Sequence, residues 1–385
     1  MIDSKITKIL NKEKQRQKDT VELIASENFA SQAVMDLCGS EFTNKYAEGY
    51  PGKRYYNGCG PSDEIETLAI ESLCELFNCS YANVQPHSGA NANTAVYQAL
   101  LRPGSKILGM DLASGGHLSH GARVNLSGKV YTSFAYGVDE QGFLDYDDIE
   151  RIAGLVKPDL IVAGASAYPR QIDWKRFREI ADSIGAYLLA DCSHYSGLIA
   201  GGAYPSPIKY ADVTTTTTHK TLRGPRGGAI MWNNDEYTRK INSAIFPGTQ
   251  GGPLMHIIAA KAQCFIEAQD PSFTVYAFDI TANARAMCNV FKLRGIKMQT
   301  QGTDSHIILI DLSDENVTGR QLADELEKHN ITVNKNGVPN DPRSFVETSG
   351  IRIGTAAETT RGHSIEWFQD LANSIADVIQ QFKGA

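Results

Sequence analysis

A lysine at the end of a threonine-rich stretch has the sequence context of a covalent catalyst. Residues 214–228 read TTTTTHKTLRGPRGG, so a run of β-branched threonines that favours a strand precedes glycines and a proline that favour an irregular loop. Lys220 follows the strand end, and His219, Arg223 and Arg226 are close to it in the chain. Burial and cationic neighbours lower the pKa of a lysine and prepare its amine for a Schiff base. A solvated lysine in a turn is the ordinary alternative for any lysine taken singly.

A carboxylate one predicted strand earlier could serve the same chemistry. Asp191 ends the apolar run of residues 186–190, which is the pattern of a buried strand. A carboxylate in such a place is costly unless it is paired. Pyridoxal phosphate uses a lysine amine and also an acidic partner for its ring nitrogen, so Lys220 and Asp191 together suggest that cofactor. Taken alone, Asp191 would be interpreted as a helix cap or a turn residue.

The elements that must position these two residues have an alternating pattern. Helical patterns at 146–156 and 174–184 alternate with strand patterns at 159–164 and 186–191. This alternation predicts a mostly parallel sheet with helices on both faces, and ligands gather at the carboxyl ends of the strands in such sheets. The polar residues at or just after predicted strand ends are Ser166, Asp191, His194, His219 and Lys220.

A further motif is suited to an anion. Residues 87–91, HSGAN, open a predicted helix that runs to about residue 101. The hydroxyl of Ser88 and the backbone N–H groups of Gly89 and Ala90 could bind a phosphate at the positive end of the helix dipole. An ordinary N-cap is the alternative, because the motif alone is weak.

Length and composition predict a soluble enzyme of more than one domain. A chain of 385 residues exceeds what one core usually supports, and 42% hydrophobic with 21% charged residues is typical of globular proteins. The net charge of −7, without a basic tract, argues against nucleic acid as a partner. Seven scattered cysteines without a CxxC pair predict neither a disulfide framework nor a metal site. A polar, lysine-rich N-terminus predicts no signal peptide or membrane span, hence a cytoplasmic location.

Nine segments, in order along the chain, resemble serine hydroxymethyltransferases. They are LIASEN (23–28), TNKYAEGYPGKRYYNG (43–58), ANVQPHSG (82–89), GGHLSHG (115–121), the stretch around Lys220, QGGPLMH (250–256), ITVNKN (331–336), VPNDP (338–342) and TSGIRIGT (348–355). The resemblance implies a pyridoxal-phosphate-dependent transferase of fold type I, an α/β protein with a mostly parallel seven-stranded sheet and a small C-terminal α/β domain. It also implies reversible transfer of the hydroxymethyl carbon of L-serine to tetrahydrofolate, giving glycine and 5,10-methylenetetrahydrofolate.

The same resemblance implies roles for individual residues. The implied catalytic residues are Lys220, Glu48, His219, Asp191 and Tyr56. The implied residues for pyridoxal 5'-phosphate are Ser88, Gly89, Ala90, His117, Ser166, Asp191, His194, His219, Lys220, Tyr46, Gly251 and Gly252. Those for the substrate are Ser26, Tyr56, Arg352 and Glu48. Those for folate, a cosubstrate, are Leu112, Gly116, His117, Leu118, Asn336, Ser344 and Phe345.

Domains and assembly follow from the same resemblance. We expect an N-terminal arm at 1–30, a large cofactor-binding domain at 31–275 and a small domain at 276–385. In the family, Tyr46 and Glu48 reach into the site of the partner subunit. The resemblance therefore implies a homodimer with shared active sites, or a tetramer built from such dimers.

Three departures from the family pattern leave other functions open. Ala90 stands where many relatives have a second serine, Ser193 stands where an alanine is usual, and residues 344–346 replace a Ser-Pro-Phe segment. One alternative is a folate-independent aldolase for β-hydroxy amino acids of the threonine type. Another is a non-catalytic paralogue that binds folate or RNA, although the acidic charge argues against RNA. For Arg352, an internal salt bridge is the alternative to substrate binding.

Overall fold

The computed structural model describes residues 2–382, so residue 1 of the expected arm and residues 383–385 of the expected small domain lie outside the described residues. The α-helices of the described part are α1 (Ser4–Asp19), α2 (Gln32–Cys38), α3 (Gly60–Phe77), α4 (Gly89–Leu100), α5 (Leu126–Val130), α6 (Tyr146–Val156), α7 (Trp174–Ile184), α8 (Ser196–Ala200), α9 (Thr238–Ser243), α10 (Met255–Gln269), α11 (Pro271–Leu293), α12 (Gly319–Lys328), α13 (Ala356–Thr360) and α14 (Ile365–Gln381). The strands are β1 (Val21–Glu22), β2 (Gly49–Tyr50), β3 (Lys53–Arg54), β4 (Tyr81–Asn83), β5 (Lys106–Met110), β6 (Thr132–Tyr136), β7 (Leu160–Ala163), β8 (Tyr187–Asp191), β9 (Val213–Thr217), β10 (Gly228–Trp232), β11 (Ile307–Asp311), β12 (Ile331–Thr332), β13 (Asn334–Asn336) and β14 (Gly350–Gly354).

A seven-stranded sheet with the order β4-β10-β9-β8-β7-β5-β6 forms the centre of the molecule. Strands β6, β5, β7, β8 and β9 pair in parallel, whereas β10 pairs antiparallel with β9 and with β4. Successive residues of a strand point to opposite faces of the sheet, and helices cover both faces. In β7, Ile161 belongs to the same hydrophobic cluster as Phe177 of α7. The neighbouring Leu160 belongs to the cluster that contains Tyr97 of α4. The predicted mostly parallel sheet with helices on both faces is therefore confirmed.

The elements around the site have nearly the bounds that the sequence predicts. Helices α6 and α7 begin and end at the predicted residues. The strand before Lys220 starts at Val213, one residue after Asp212, whose carboxylate accepts hydrogen bonds from Arg178 Nη1 at 2.8 Å and from the backbone N–H of Leu188 at 2.7 Å. Parallel pairing of β8 with β9 then brings Asp191 and Thr215 to opposite positions of the two strands.

A second core forms around the antiparallel sheet β11-β14-β13. Helix α11 contributes to both cores, with Phe273 and Ile280 in the first and Met287 and Phe291 in the second. The expected boundary after residue 275 falls inside this helix and stays a prediction.

The N-terminal helix keeps an apolar side uncovered. Helix α1 lies in the expected N-terminal arm, and its Ile6, Ile9 and Leu10 are 59%, 67% and 42% exposed. Its C-terminal end is held to the rest of the chain by Arg361, which donates to the carbonyls of Gln17 and Thr20. None of the helices within residues 2–382 combines the length and the apolar composition that crossing a membrane requires.

Candidate active site

The carboxyl ends of β7, β8 and β9 surround a small cavity. It is lined by Gly89, Ala90, His117, His120, Ala165, Ser166, Asp191, Ser193, His194, Thr217 and Lys220. Most of the residues predicted to bind the cofactor are in this set. They come from segments that are far apart in the chain, because parallel strands place their carboxyl ends, and the loops that follow, at one edge of the sheet.

Asp191 is a buried carboxylate with three side-chain partners. Oδ2 accepts a hydrogen bond from Asn93 Nδ2 at 2.9 Å and lies 2.9 Å from His120 Nε2, while Oδ1 accepts one from Ser193 Oγ at 2.6 Å. Burial disfavours the ionised form, but the contacts with His120 and Ser193 outweigh it and lower the pKa of Asp191. The site therefore holds a permanent negative charge at neutral pH.

Lys220 is buried at the wall of the same cavity, 9% exposed. Burial lowers the pKa of its amine to about 8, with Arg352 and Arg226 acting in the same direction and Asp191 in the opposite one. About a tenth of the amine is therefore neutral and nucleophilic at pH 7, against well under about 0.1% for an ordinary lysine, and a covalent role requires this neutral form.

Two of the predicted histidines contact the cavity as neutral rings. Burial, reinforced by His120, lowers the pKa of His117 to about 4, and its Nδ1 lies 2.7 Å from Ser119 Oγ. Burial also lowers the pKa of His194, which stacks on His306 with Nδ1 3.5 Å from Nε2. Neutral imidazoles present flat faces to a bound ring without adding charge.

The start of α4 forms part of the wall of the cavity. Ser88 is the N-cap, and its Oγ accepts the N–H of Asn91 at 3.1 Å, so the interpretation as an N-cap is correct. Gly89 and Ala90 line the cavity at the first turn of the helix, where backbone N–H groups lack intrahelical partners. A Cβ at Gly89 would lie 2.7 Å from Thr217 Cγ2, so only glycine permits this approach to β9.

Arg352 on β14 joins the second core to the edge of the cavity. Its Nη1 donates to the carbonyl of Ser166 at 2.6 Å and its Nε to Asn334 Oδ1 at 2.9 Å. Burial lowers the pKa of the guanidinium to about 10. Arg352 forms no ion pair with any residue in 2–382, which removes the internal salt bridge as an explanation of its charge.

Two predicted site residues line a different cavity. Ser26 and His219 are among the residues around a space next to α1 and Arg226. Burial, together with Arg226 and Lys220, lowers the pKa of His219 to about 3. Their expected roles at the substrate and cofactor stay predictions.

A second cluster of predicted residues lies outside the Lys220 cavity. The hydroxyls of Tyr46 and Tyr56 donate to Glu48 at 3.3 and 3.4 Å, and their rings meet edge to face. Gly251 and Gly252 pack against this group, since their Cβ atoms would lie 3.2 Å from Glu48 Oε1 and 2.9 Å from the Tyr46 ring. The two tyrosines are 55% and 47% exposed, so the cluster lies at the surface of the chain.

The expected folate residues fall into two groups. Leu112 and His117 line a cavity of about 460 Å³ beside β5 and β6. Gly116 packs against the last residue of β5, since a Cβ at Gly116 would lie 2.0 Å from the carbonyl oxygen of Met110. Leu118 is 46% exposed. Asn336, Ser344 and Phe345 belong to the segment around β13, and no described contact joins them to the first group; Phe345 is 75% exposed.

Several residues of the site could not be identified from sequence patterns. Asn93 and His306 have no distinctive sequence pattern, although Asn93 is one helical turn after Gly89 and so on the same face of α4. Ser193, by contrast, stood out in the sequence as a departure from the family pattern; it lines the cavity, and its hydroxyl donates to Asp191.

A parallel α/β sheet with a buried lysine and a buried, ionised aspartate at adjoining strand ends defines the class of fold type I transferases. A family model described as serine hydroxymethyltransferase matches residues 1–375. The chain belongs to the serine hydroxymethyltransferase family.

Individual relatives agree with this placement. The chain is 57% identical over 379 residues to the serine hydroxymethyltransferase of Wolbachia sp. subsp. Drosophila simulans (strain wRi), covering 98% of this chain and 89% of that protein. It is 57% identical over 377 residues to that of a Nitratiruptor species, with 98% and 91% covered. It is 56% identical over 379 residues to that of Xanthomonas axonopodis pv. citri (strain 306), again with 98% and 91% covered.

Proposed function

We propose that this enzyme transfers the hydroxymethyl carbon of L-serine to tetrahydrofolate, giving glycine and 5,10-methylenetetrahydrofolate, with pyridoxal 5'-phosphate as its cofactor. The observation that carries the proposal is the presence of Lys220, with its lowered pKa, and of the ionised Asp191 in one buried cavity. Membership of the family supports the same reaction.

The chemistry of the cavity suits this cofactor. The N-terminus of α4 at Gly89 would bind the phosphate, the carboxylate of Asp191 would keep the ring nitrogen protonated, and the amine of Lys220 would hold the aldehyde carbon. The neutral ring of His117 is suited to stacking on a pyridine. When bound, the cofactor supplies an electron sink for negative charge that develops on the substrate.

The chain's own residues would orient the substrate and move its protons. Arg352 would bind the carboxylate of serine, since its guanidinium has donors beyond those used by Ser166 and Asn334. Glu48, between two tyrosine hydroxyls, would take the proton of the serine hydroxyl as the Cα–Cβ bond breaks. Burial of the cavity would keep bulk water from the released one-carbon unit.

We also propose a homodimer in which each site takes residues from both subunits. The cluster of Tyr46, Glu48 and Tyr56 carries side chains suited to acid–base work, yet it lies outside the Lys220 cavity of its own subunit. The exposed apolar side of α1 is suited to packing against a second copy of this chain. A tetramer of such dimers, a cytoplasmic location and the absence of nucleic-acid and membrane partners remain expectations from the sequence.

One experiment tests the reaction against its rival. Purified protein reconstituted with pyridoxal phosphate is given serine with and without tetrahydrofolate, and allo-threonine without folate, and glycine is measured. We expect serine cleavage to depend on folate and to disappear in Lys220→Ala, together with the visible absorption band of the bound cofactor. Folate-independent cleavage of both amino acids at equal rates would favour the aldolase, and a wild-type protein without a cofactor band would favour a non-catalytic binding protein.

A further inference from the structure

A second buried lysine lies near the site and has no part in the proposed reaction. Lys261 on α10 is 1% exposed. Its Nζ donates to three backbone carbonyls, those of Val84 at 2.6 Å, Pro86 at 3.0 Å and Gly228 at 2.8 Å. Three acceptors at these distances use every N–H of an ammonium group, whereas a neutral amine has only two to offer.

The cost of this buried charge is offset by its surroundings. Burial lowers the pKa of Lys261 to about 7, and the carboxylate of Glu66 acts in the opposite direction. Three carbonyl dipoles point at the ammonium from two chain segments. Together the three carbonyls give every N–H of the buried ammonium group an acceptor, as a buried charge requires.

The carbonyls that Lys261 binds belong to the two segments that build the proposed cofactor site. Val84 and Pro86 lead into Ser88 and Gly89 at the start of α4, and Gly228 closes the loop that begins at Lys220.

These segments are in close contact where Lys261 joins them. The N–H of Gly228 donates to the carbonyl of Pro86 at 3.0 Å. A Cβ at Gly228 would lie 2.4 Å from the carbonyl oxygen of Ser88, and one at Gly227 would lie 2.5 Å from Cε of Lys261. The helix N-terminus and the Lys220 loop therefore meet with no spare space, and one ammonium group ties them together.

The segment that contains Val84 and Pro86 is also held by hydrogen bonds that do not involve Lys261. Gln85, between the two carbonyls, donates from Nε2 to the carbonyl of Gly49 at 2.9 Å and to Glu66 Oε1 at 2.7 Å. Glu66 in turn pairs with Arg54 at 2.6 Å. These contacts do not involve the carbonyls of Val84 and Pro86, so they would persist without Lys261. Loss of Lys261 would remove the ammonium donor from both carbonyls and leave Pro86 with the N–H of Gly228.

We infer that Lys261 is a positioning residue for the cofactor phosphate, whose ammonium group holds the start of α4 in register with the Lys220 loop. The inference rests on the proposed function, in which the phosphate binds at Ser88 and Gly89 and the aldehyde at Lys220. Lys261 is not among the residues that line the Lys220 cavity. It sets the distance between the start of α4, which would bind the phosphate, and the amine of Lys220, which would bind the aldehyde of the same molecule.

Comparison of pyridoxal phosphate with pyridoxal tests this role, since pyridoxal has the aldehyde and lacks the phosphate. The variant is Lys261→Met, which keeps the length of the side chain and removes its donors. Phe265→Leu, a change at a fully buried residue of the same helix, is the matched control for lost stability. Dissociation constants of both compounds are measured on the apo-proteins by absorbance, and thermal unfolding is recorded for each variant.

We expect Lys261→Met to weaken binding of pyridoxal phosphate about tenfold or more relative to its effect on pyridoxal, as loss of a buried charged donor implies. Phe265→Leu should change both constants by the same factor. An equal loss for both compounds in Lys261→Met would show a role in stability alone and would overturn the inference. If Lys261→Met does not fold, Lys261→Gln, which keeps two N–H donors, is measured in the same way. Failure of the wild-type protein to bind either compound through Lys220 would instead reject the proposed function.

Discussion

His120 Nε2 lies 2.9 Å from Oδ2 of Asp191, and both groups are buried. The histidine comes from the loop after β5 and the aspartate from the end of β8, so the contact joins two neighbouring regions of the site. It is the contact that does most to keep the carboxylate ionised.

Replacement of His120 by phenylalanine should therefore raise the pKa of Asp191. Loss of a hydrogen bond to a charged group costs about 1.5–3 kcal/mol, so we expect the variant to be less stable by about this amount at neutral pH. Because the pKa of Asp191 in the fold is below its unfolded value, this residue stabilises the fold above about pH 4 and the contribution is lost as the pH falls. The variant should show a smaller loss of stability on acidification. Unfolding measured across that range, with the exposed His329→Phe as control, checks the expectation.

Attachment of the cofactor should follow the pKa of Lys220. The neutral amine is the reactive form, so the rate should rise with pH up to about 8 and then level off, whereas an ordinary lysine would continue to about pH 10. Asp191→Asn removes a charge that raises this pKa, and Arg352→Gln removes one that lowers it. The midpoints of the two variants, followed by the visible absorption band, should therefore move in opposite directions. Midpoints that move together would contradict this electrostatic account.

Arg352→Lys should separate substrate binding from cofactor binding. Lysine keeps the charge but loses the planar fork that binds a carboxylate through two nitrogens. We expect the KM for serine to rise about tenfold or more while the cofactor absorption band is unchanged. Asn334→Ala, which removes only one partner of the guanidinium, should have a smaller effect in the same direction. An unchanged KM in Arg352→Lys would reject the assignment.

Shared active sites can be tested with subunits that are each inactive. Lys220→Ala and Glu48→Gln proteins are mixed, dissociated and re-associated, and serine cleavage is measured. In a mixed dimer one site would combine an intact Lys220 with an intact Glu48 from the other subunit, so random pairing should restore about a quarter of wild-type activity. No recovery, with mixed dimers present by mass, would mean that each site is built from one chain.

Replacement of glycine by alanine should destabilise the protein at Gly89 in α4 and stabilise it at Gly154 in α6. Gly89→Ala would place a Cβ 2.7 Å from Thr217 Cγ2, and such overpacking costs about 1–3 kcal/mol of stability. At Gly154 in α6, a Cβ would meet no described atom within 4 Å, so Gly154→Ala should stabilise the fold by about 0.5–1 kcal/mol. Chemical unfolding of both variants measures the two changes.

Much of the fold and part of the site could be predicted from local sequence patterns. Threonine-rich and apolar runs predict β9 and β8, and parallel sheets place their strand ends together, so the proximity of Lys220 and Asp191 could be expected. The nine segments that resemble serine hydroxymethyltransferases predicted the family, and the family model confirms it.

The tertiary structure alone decided which groups act on these residues. Asn93 and His120 contact Asp191 from distant segments, Lys261 binds carbonyls of two other segments, and Glu48 lies outside the Lys220 cavity. Local patterns report backbone preference and burial, which depend on neighbours in the chain. Hydrogen-bond partners and pKa values depend on distances of a few ångströms between segments far apart in sequence, and these distances exist only once the strands and helices have packed.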